Sequence, residues 1–364
     1  MWLFATACSS SAETDGSTEV LATSETPEAS PLGAPPATPS TTDSALMPVL
    51  GAPGIALSAE PSAAAPTPSA LGTRTLFWLD VSGKVMTSPA DDFKAQTLVR
   101  SAGQGSDGIA VDVEHGYIYW TNMGVPADDD GTLVRANLDG SGLTTLIAAG
   151  GTFTPKQLKL EPRSAKLYWS DREGMRVMRA DLDGGQLETL YSAAEGDVAR
   201  RDADNWCVGI SIDPAGGYFY WTQKGPDDAE TGSIRRAPLV MAAGEDAAHR
   251  TDVQILYQGL AAPVDLDLDR EHGFLYWANR GDDTINRAPI EVPPGKTGAT
   301  RDDREVVVPD VPQAIGVAID HERSLIYYTD AVGDVGRAAL DGSGAEFLLE
   351  GRGAFTGIVV VNVP

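Results

Sequence analysis

Apolar residues in this chain fall on alternating positions over short stretches, and the stretches come in sets of four. In one set, Gly108-Ile109-Ala110-Val111-Asp112 alternates as a short strand does, and Glu114-His115-Gly116 turns the chain. Tyr117-Ile118-Tyr119-Trp120-Thr121 follows, built from aromatic and β-branched residues that pack well on a pleated surface. A polar loop ending at Gly131 leads into Leu133-Val134-Arg135-Ala136. Leu138-Asp139-Gly140-Ser141-Gly142 supplies the next turn, since Asp-Gly accepts the positive φ of a tight hairpin, and Leu143 to Ile147 makes a fourth strand. The set predicts one four-stranded antiparallel sheet.

The aromatic strand recurs. Its core reads Tyr119-Trp120-Thr121-Asn122, Tyr168-Trp169-Ser170-Asp171, Tyr220-Trp221-Thr222-Gln223, Tyr276-Trp277-Ala278-Asn279 and Tyr327-Tyr328-Thr329-Asp330, with Phe77-Trp78-Leu79-Asp80 in front. The steps from Trp78 through Trp120, Trp169, Trp221 and Trp277 to Tyr328 are 42, 49, 52, 56 and 51 residues. A period of that size marks an array in which no unit buries its own face alone. Four antiparallel strands per unit make a propeller blade. The first unit begins at Thr75 with its aromatic strand and has no innermost strand before it. Gly357-Ile358-Val359-Val360-Val361 matches the innermost pattern and has no aromatic strand after it. The expectation is an all-β, six-bladed β-propeller of four-stranded antiparallel blades, with a C-terminal strand completing blade one. That closure leaves no wide sheet edge open to other chains.

The repeated motif resembles the YWTD repeats (class B repeats) of the low-density-lipoprotein receptor family, which form six-bladed β-propellers. The resemblance covers about residues 74–364. It includes the aromatic strand, Leu-Asp-Gly turns at Leu138, Leu182 and Leu340, and an Arg at one register of the third strand: Arg135, Arg179, Arg236, Arg287 and Arg337. The chain departs from the pattern where Asn122, Gln223 and Asn279 replace the final Asp of the motif. Ala237-Pro238 and Ala288-Pro289, with longer insertions, replace two of the turns, and Thr87 stands where blade one should carry Arg. The resemblance implies binding of a protein or small ligand on the face with long loops.

Residues 1–73 contain no Lys or Arg and are dominated by Ser, Thr, Ala and Pro, so they read as a disordered tether. Within them, Phe4-Ala5-Thr6-Ala7-Cys8-Ser9-Ser10 resembles the end of a bacterial lipoprotein signal, which makes Cys8 a candidate lipidation site and places the protein in the cell envelope. Cys207 is then unpaired, and no disulfide framework is expected. Membrane contact is expected only through that anchor, and the propeller is expected to be monomeric. A formal charge of −25 disfavours nucleic acid and anionic lipid surfaces.

Propeller loops alternate between two faces. The loops between second and third strands and the links between blades are the longer and more varied set, and variable loops on a rigid scaffold are where binding usually resides. His115, His272 and His321 fall on the opposite, short-loop face, so a His-centred reaction is disfavoured. Aligned innermost strands begin Gly108, Gln157, Gly209, Asp265, Gly316 and Gly357, and their third residues are Ala110, Lys159, Ser211, Asp267, Ala318 and Val359. Gln157, Lys159, Asp265 and Asp267 thus break an otherwise small or apolar channel, either as structural ion pairs or as a polar ligand pocket. Asp107 and Asn205 from the blade links would join the pocket. Trp206, in the link Asp202 to Cys207, is a separate candidate anchor or plug, with Arg172, Lys224 and Arg280 on the same rim. No cofactor is expected. The alternative is a metal-assisted lactone or ester hydrolase with a divalent cation on Asp107, Asp265 and Asp267.

Overall fold

The computed structural model describes residues 72–126 and 128–364. Cys8 and all but the last two residues of the 1–73 tether therefore lie outside the described residues. Blade one holds β1 (Thr73–Asp80), β2 (Lys84–Pro89) and β3 (Gln96–Val99). Blade two holds β4 (Ser106–Asp112), β5 (Tyr117–Asn122), β6 (Thr132–Asn137) and β7 (Thr144–Ile147). Blade three holds β8 (Pro155–Glu161), β9 (Lys166–Asp171), β10 (Arg176–Asp181) and β11 (Glu188–Ser192). Blade four holds β12 (Cys207–Asp213), β13 (Tyr218–Gln223), β14 (Gly232–Pro238) and β15 (Gln254–Leu260). Blade five holds β16 (Pro263–Asp269), β17 (Phe274–Asn279), β18 (Thr284–Pro289) and β19 (Glu305–Val308). Blade six holds β20 (Ala314–Asp320), β21 (Leu325–Asp330), β22 (Val335–Ala339) and β23 (Glu346–Leu349), and β24 (Phe355–Val363) ends the chain.

Each blade is a four-stranded antiparallel sheet, and β24 pairs with β1 from Thr73–Val363 to Asp80–Phe355, which completes blade one. The expected ring and its closure are both present. The motif tryptophans Trp78, Trp120, Trp169, Trp221 and Trp277 have no exposed surface. They lie between neighbouring sheets: the Trp120 cluster draws Phe77, Leu79 and Val85 from blade one and Ile109, Ile118 and Val134 from blade two.

The third motif residue stitches blades together. Thr121 Oγ1 accepts from Gly108 N at 2.8 Å and donates to Lys156 O of the next blade at 2.7 Å. Thr222 does the same between Gly209 N and Val264 O, both at 2.8 Å, and Ser170 donates to Gly209 O. Thr329 links Gly316 N to Thr356 O. Two blades lack the hydroxyl and replace it. Beside Leu79, Thr356 Oγ1 reaches Ser106 O at 2.9 Å. Beside Ala278, Asp265 and Asp267 accept from Val317 N and Ile319 N, each at 3.1 Å. Removing a buried relay leaves a donor and an acceptor unmet, so Thr222→Val is expected to lower stability by about 1–3 kcal/mol in urea unfolding. A loss below about 0.5 kcal/mol, the scatter of neutral surface changes, would refute the relay.

The fourth motif residue follows a charge rule that explains the departures. It faces the start of the third strand across the ladder. Asp80 faces Lys84 at 3.6 Å, and Asp171 accepts from Arg176 Nε at 2.9 Å. Where the acid becomes an amide, the partner is a hydroxyl residue: Asn122 faces Thr132 at 3.2 Å, Gln223 faces Ser233 and Asn279 faces Thr284. The recurring Arg is structural as well. Arg135, Arg179, Arg236, Arg287 and Arg337 each stand opposite the first Tyr of their motif. In blade one Thr87 stands opposite Phe77, so the blade without the Arg also lacks the phenol.

Candidate functional site

Inner-strand register places the candidate residues around the channel. Ile109, Leu158, Ile210, Leu266, Val317 and Ile358 each pair with the second aromatic of their motif, so the residues flanking them form two levels facing the axis. The structure divides the expected polar pocket in two. Near the start of the inner strands, Asp107 is buried and receives Lys156 Nζ at 2.5 Å and Gln157 Nε2 at 3.1 Å. Burial pulls the Lys156 pKa down, and the Asp107 carboxylate opposes that loss. Lys156 was not among the sequence candidates. The available signal was its place one residue before Gln157, where blades four, five and six carry Val208, Val264 and Ile315.

Two residues further along the strands, Lys159 Nζ lies 3.3 Å from Asp267 Oδ1. A cavity of about 190 Å³ lined by Ala110, Lys159, Asp267, Ala318 and Val359 opens beside them. Burial pushes the Asp265 carboxyl up to about 7, against the attraction of Lys159. Burial lowers Lys159 in turn, yet the carboxylates of Asp267 and Asp265 more than offset it and leave its pKa above the ordinary lysine value. Gln157 therefore belongs with Asp107 and not with Lys159. Asn205 joins neither group. The link coils into 3₁₀ turns at Ala199–Arg201 and Ala203–Asn205, and Asn205 Nδ2 is spent on Ala199 O at 3.0 Å.

Those donors do not fit the divalent ion of the hydrolase alternative. Asp107 already carries an ammonium group and an amide, while Asp265 and Asp267 carry Lys159 and backbone N–H groups. Among the described residues, no three His, Cys, Asp or Glu side chains group as metal ligands. His115 and His272 are turned onto Asp112 and Asp269 of their own tight turns, each at 2.8 Å.

The end of the channel where the inner strands start, the level of Asp107 and Lys156, is capped by Trp206. Its half-buried ring packs on Val208, Val264 and Ile315, one residue from each of three inner strands, and its Nε1 donates to Arg200 O at 2.8 Å. The Arg172 guanidinium lies 4.9 Å from the ring centroid and the Lys224 ammonium 5.9 Å. Trp206 thus acts as plug and platform together. Arg172, Lys224 and Arg280 each follow the fourth motif residue directly, so blades three, four and five present cations at one register of the mouth. Arg172 pairs with Glu173, and Arg280 donates to Gln313 at 3.1 Å. Lys224 pairs with Asp227, a mostly exposed carboxylate in the long loop of blade four. Partial burial works against the Asp227 anion, but Lys224, Arg280 and Arg172 together hold its carboxyl below the usual aspartate range. Lys224 thus holds this carboxylate directly, and the charges of Arg280 and Arg172 act on it from a distance.

The chain is 39% identical over 290 residues to a Pyricularia oryzae protein named low-density lipoprotein receptor-related protein 1, covering 77% of this chain and 92% of that one. It is 36% identical over 267 residues to a Cochliobolus heterostrophus protein named 3-hydroxyacyl-CoA dehydrogenase-like protein LAM1, covering 70% of this chain but only 56% of that relative. Among solved structures, a chain of a nidogen/laminin complex matches with a TM-score of 0.61 and 22% identity, over 80% of this chain and 99% of that one. No family model matches.

Proposed function

This chain belongs to the family of low-density lipoprotein receptor-related YWTD propellers, and from that membership we propose that it is a recognition module for a carboxylate-bearing ligand at the Trp206 mouth. The observation that carries the reading is the Lys224–Asp227 ion pair beside the Trp206 ring, with the Arg172 guanidinium on the same ring and Arg280 at the same register of the next blade. Asp227 is the pattern for the ligand acid in this reading: a carboxylate on Lys224, with the cations of blades three and five at the same register. A ligand carboxylate can take its place, because Asp227 sits on a loop with more than half of its side chain exposed. The setting adds selectivity. On a chain of charge −25, a local cation arc attracts only a ligand whose acid is presented at that point. Indole surface at the centre supplies the apolar contact that anchors such ligands.

The proposal includes an exported setting, with the lipid anchor at Cys8 drawn from the sequence alone. Mass spectrometry of the mature N-terminus tests the anchor separately. No helix among the described residues is long and apolar enough to cross a membrane.

The test of recognition uses Trp206 fluorescence and a panel of short peptides bearing Asp, Asn or Lys beside an aliphatic residue. Acidic peptides are expected to bind, with affinity falling as salt rises through the Debye screening of an exposed site. Reversal of all three cations in Arg172→Glu, Lys224→Glu and Arg280→Glu is expected to reduce affinity at least tenfold, about 1.4 kcal/mol. Equal binding of the Asp and Asn peptides, or an unaltered affinity in the triple variant, would overturn the reading.

A further inference from the structure

The charge rule at the fourth motif position has one exception. In blade six, Thr329 pairs with Val335, and one step further Asp330 N donates to Asp334 O, so Asp334 stands where blade one has Lys84 and blade three has Arg176. An acid faces an acid. Like charges directly opposite in a sheet destabilise it, and here the arrangement is not relieved by a neighbour. Among the described residues, no Lys, Arg or His forms an ion pair with either carboxylate.

Asp330 is fully buried. Its Oδ1 accepts from the N–H groups of Val332, Gly333 and Asp334 at 3.1, 2.9 and 2.8 Å. Its Oδ2 is buried with no hydrogen-bond partner at all. In blade three both oxygens of Asp171 are used: Oδ2 accepts from Arg176 Nε and Phe153 N, and Oδ1 from Thr154 N. Asp334 is half-buried, and its Oδ1 accepts from Gly351 N at 2.6 Å, which leaves its second oxygen uncommitted to the backbone. Burial, together with the charge of Asp334, pushes the Asp330 carboxyl up to about 6.

We propose that a hard divalent cation of the calcium class bridges Asp330 and Asp334 where the edge of blade six meets the link to blade one. The chemistry follows from the vacant acceptor. Two carboxylates facing each other at the position of a missing guanidinium need positive charge between them. Oxygen donors with no nitrogen or sulfur beside them select calcium or magnesium over softer ions. Peptide carbonyls and water complete the shell of such ions, and two carboxylates place the affinity in the weak range, Kd about 10⁻⁴–10⁻³ M. This site is separate from the acidic channel residues, which are already neutralised by Lys156 and Lys159.

Thermal unfolding of the whole chain tests it, comparing 10 mM calcium chloride with sodium chloride of equal ionic strength after exhaustive chelation. Binding at that affinity is expected to raise Tm by roughly 3 °C. Asp334→Lys restores the pairing of blade one, so its calcium-free Tm is expected to exceed that of the parent and its calcium response to vanish. Glu195→Lys makes the same charge change at an exposed position in the link after blade three and is expected to keep the full response. Asp330→Asn is expected to lose the response as well, and isothermal titration with calcium alone should report one site in the parent and none in either blade-six aspartate variant. A parent indifferent to both calcium and magnesium would show that the two acids merely share a proton, and overturns the proposal. So does an Asp334→Lys variant that responds as the parent does.

Discussion

A chain ending at Ala354 is expected to lose its cooperative unfolding transition. β24 is the innermost strand of blade one and its longest, paired with β1 along its whole length. Without it, β1 presents an unpaired edge to solvent, an invitation to self-association. The truncation also removes Phe355 and Ile358 from the cluster that buries Leu76, Trp78 and Tyr327. Each such side chain is worth about 1.5–3 kcal/mol of burial. Thr356 goes too, and with it the hydroxyl link to Ser106 and the carbonyl that receives Thr329. Together these losses rival the 5–15 kcal/mol that separates a folded domain from its unfolded chain. Circular dichroism during heating checks the point. Adding a synthetic peptide of residues 355–364 should restore a transition. A truncated chain that melts with the parent midpoint would show that the ring does not depend on this clasp.

The ring itself was legible because its signals are local. Aromatic strands, Asp-Gly turns and period-two alternation lie within a few residues of one another, and the unmatched ends pointed to each other by elimination. The pairings that set the chemistry are of another kind. Asp107 and Lys156 are 49 residues apart and meet only because adjacent inner strands run side by side in the ring. Gln157 shares a register with Asp265, but a long side chain reaches to the neighbour it can bond, and register does not say which neighbour that is. In the sequence, Asn122, Gln223 and Asn279 are departures from the motif without a stated cause. They became a rule only when Thr132, Ser233 and Thr284 were seen across the ladder, beyond loops of different lengths. Asp265 and Asp267 stand out in the sequence as charges on inner strands that are otherwise small or apolar. Their task beside Ala278, of accepting backbone N–H groups from blade six, depends on a contact between blades that no single strand encodes.

Lys159→Met should expose that task. The substitution keeps the length of the side chain and removes the one cation between Asp265 and Asp267. Both side chains of the Lys159–Asp267 pair keep about a fifth of their surface and border the channel cavity, so deleting the cation is expected to cost about 1–3 kcal/mol, less than for a fully buried pair. The cost should depend on pH in a stated direction. Asp265 titrates near 7 in the fold and near 3.8 when unfolded, so the folded state holds the extra proton in between. Its contribution to stability is therefore greatest below pH 3.8 and is lost as pH rises through 7. Lys159 carries the same sign in a higher window: its raised pKa contributes stability that is fully present below the ordinary lysine value and is lost only as pH rises above it. Without Lys159 the Asp265 carboxyl loses the attraction that holds it down. At pH 8 it then either stays ionised without a counter-charge or keeps a proton that the unfolded chain sheds, and both cost stability. At pH 5 it is protonated with or without Lys159, and only Asp267 is left uncompensated. Urea unfolding should accordingly show the full loss at pH 8 and a much smaller one at pH 5. Equal losses at both pH values would mean that Lys159 contributes packing and not charge. No loss at either would return the channel pair to the role of a ligand site, because a group kept for binding can be removed without unfolding the ring that holds it.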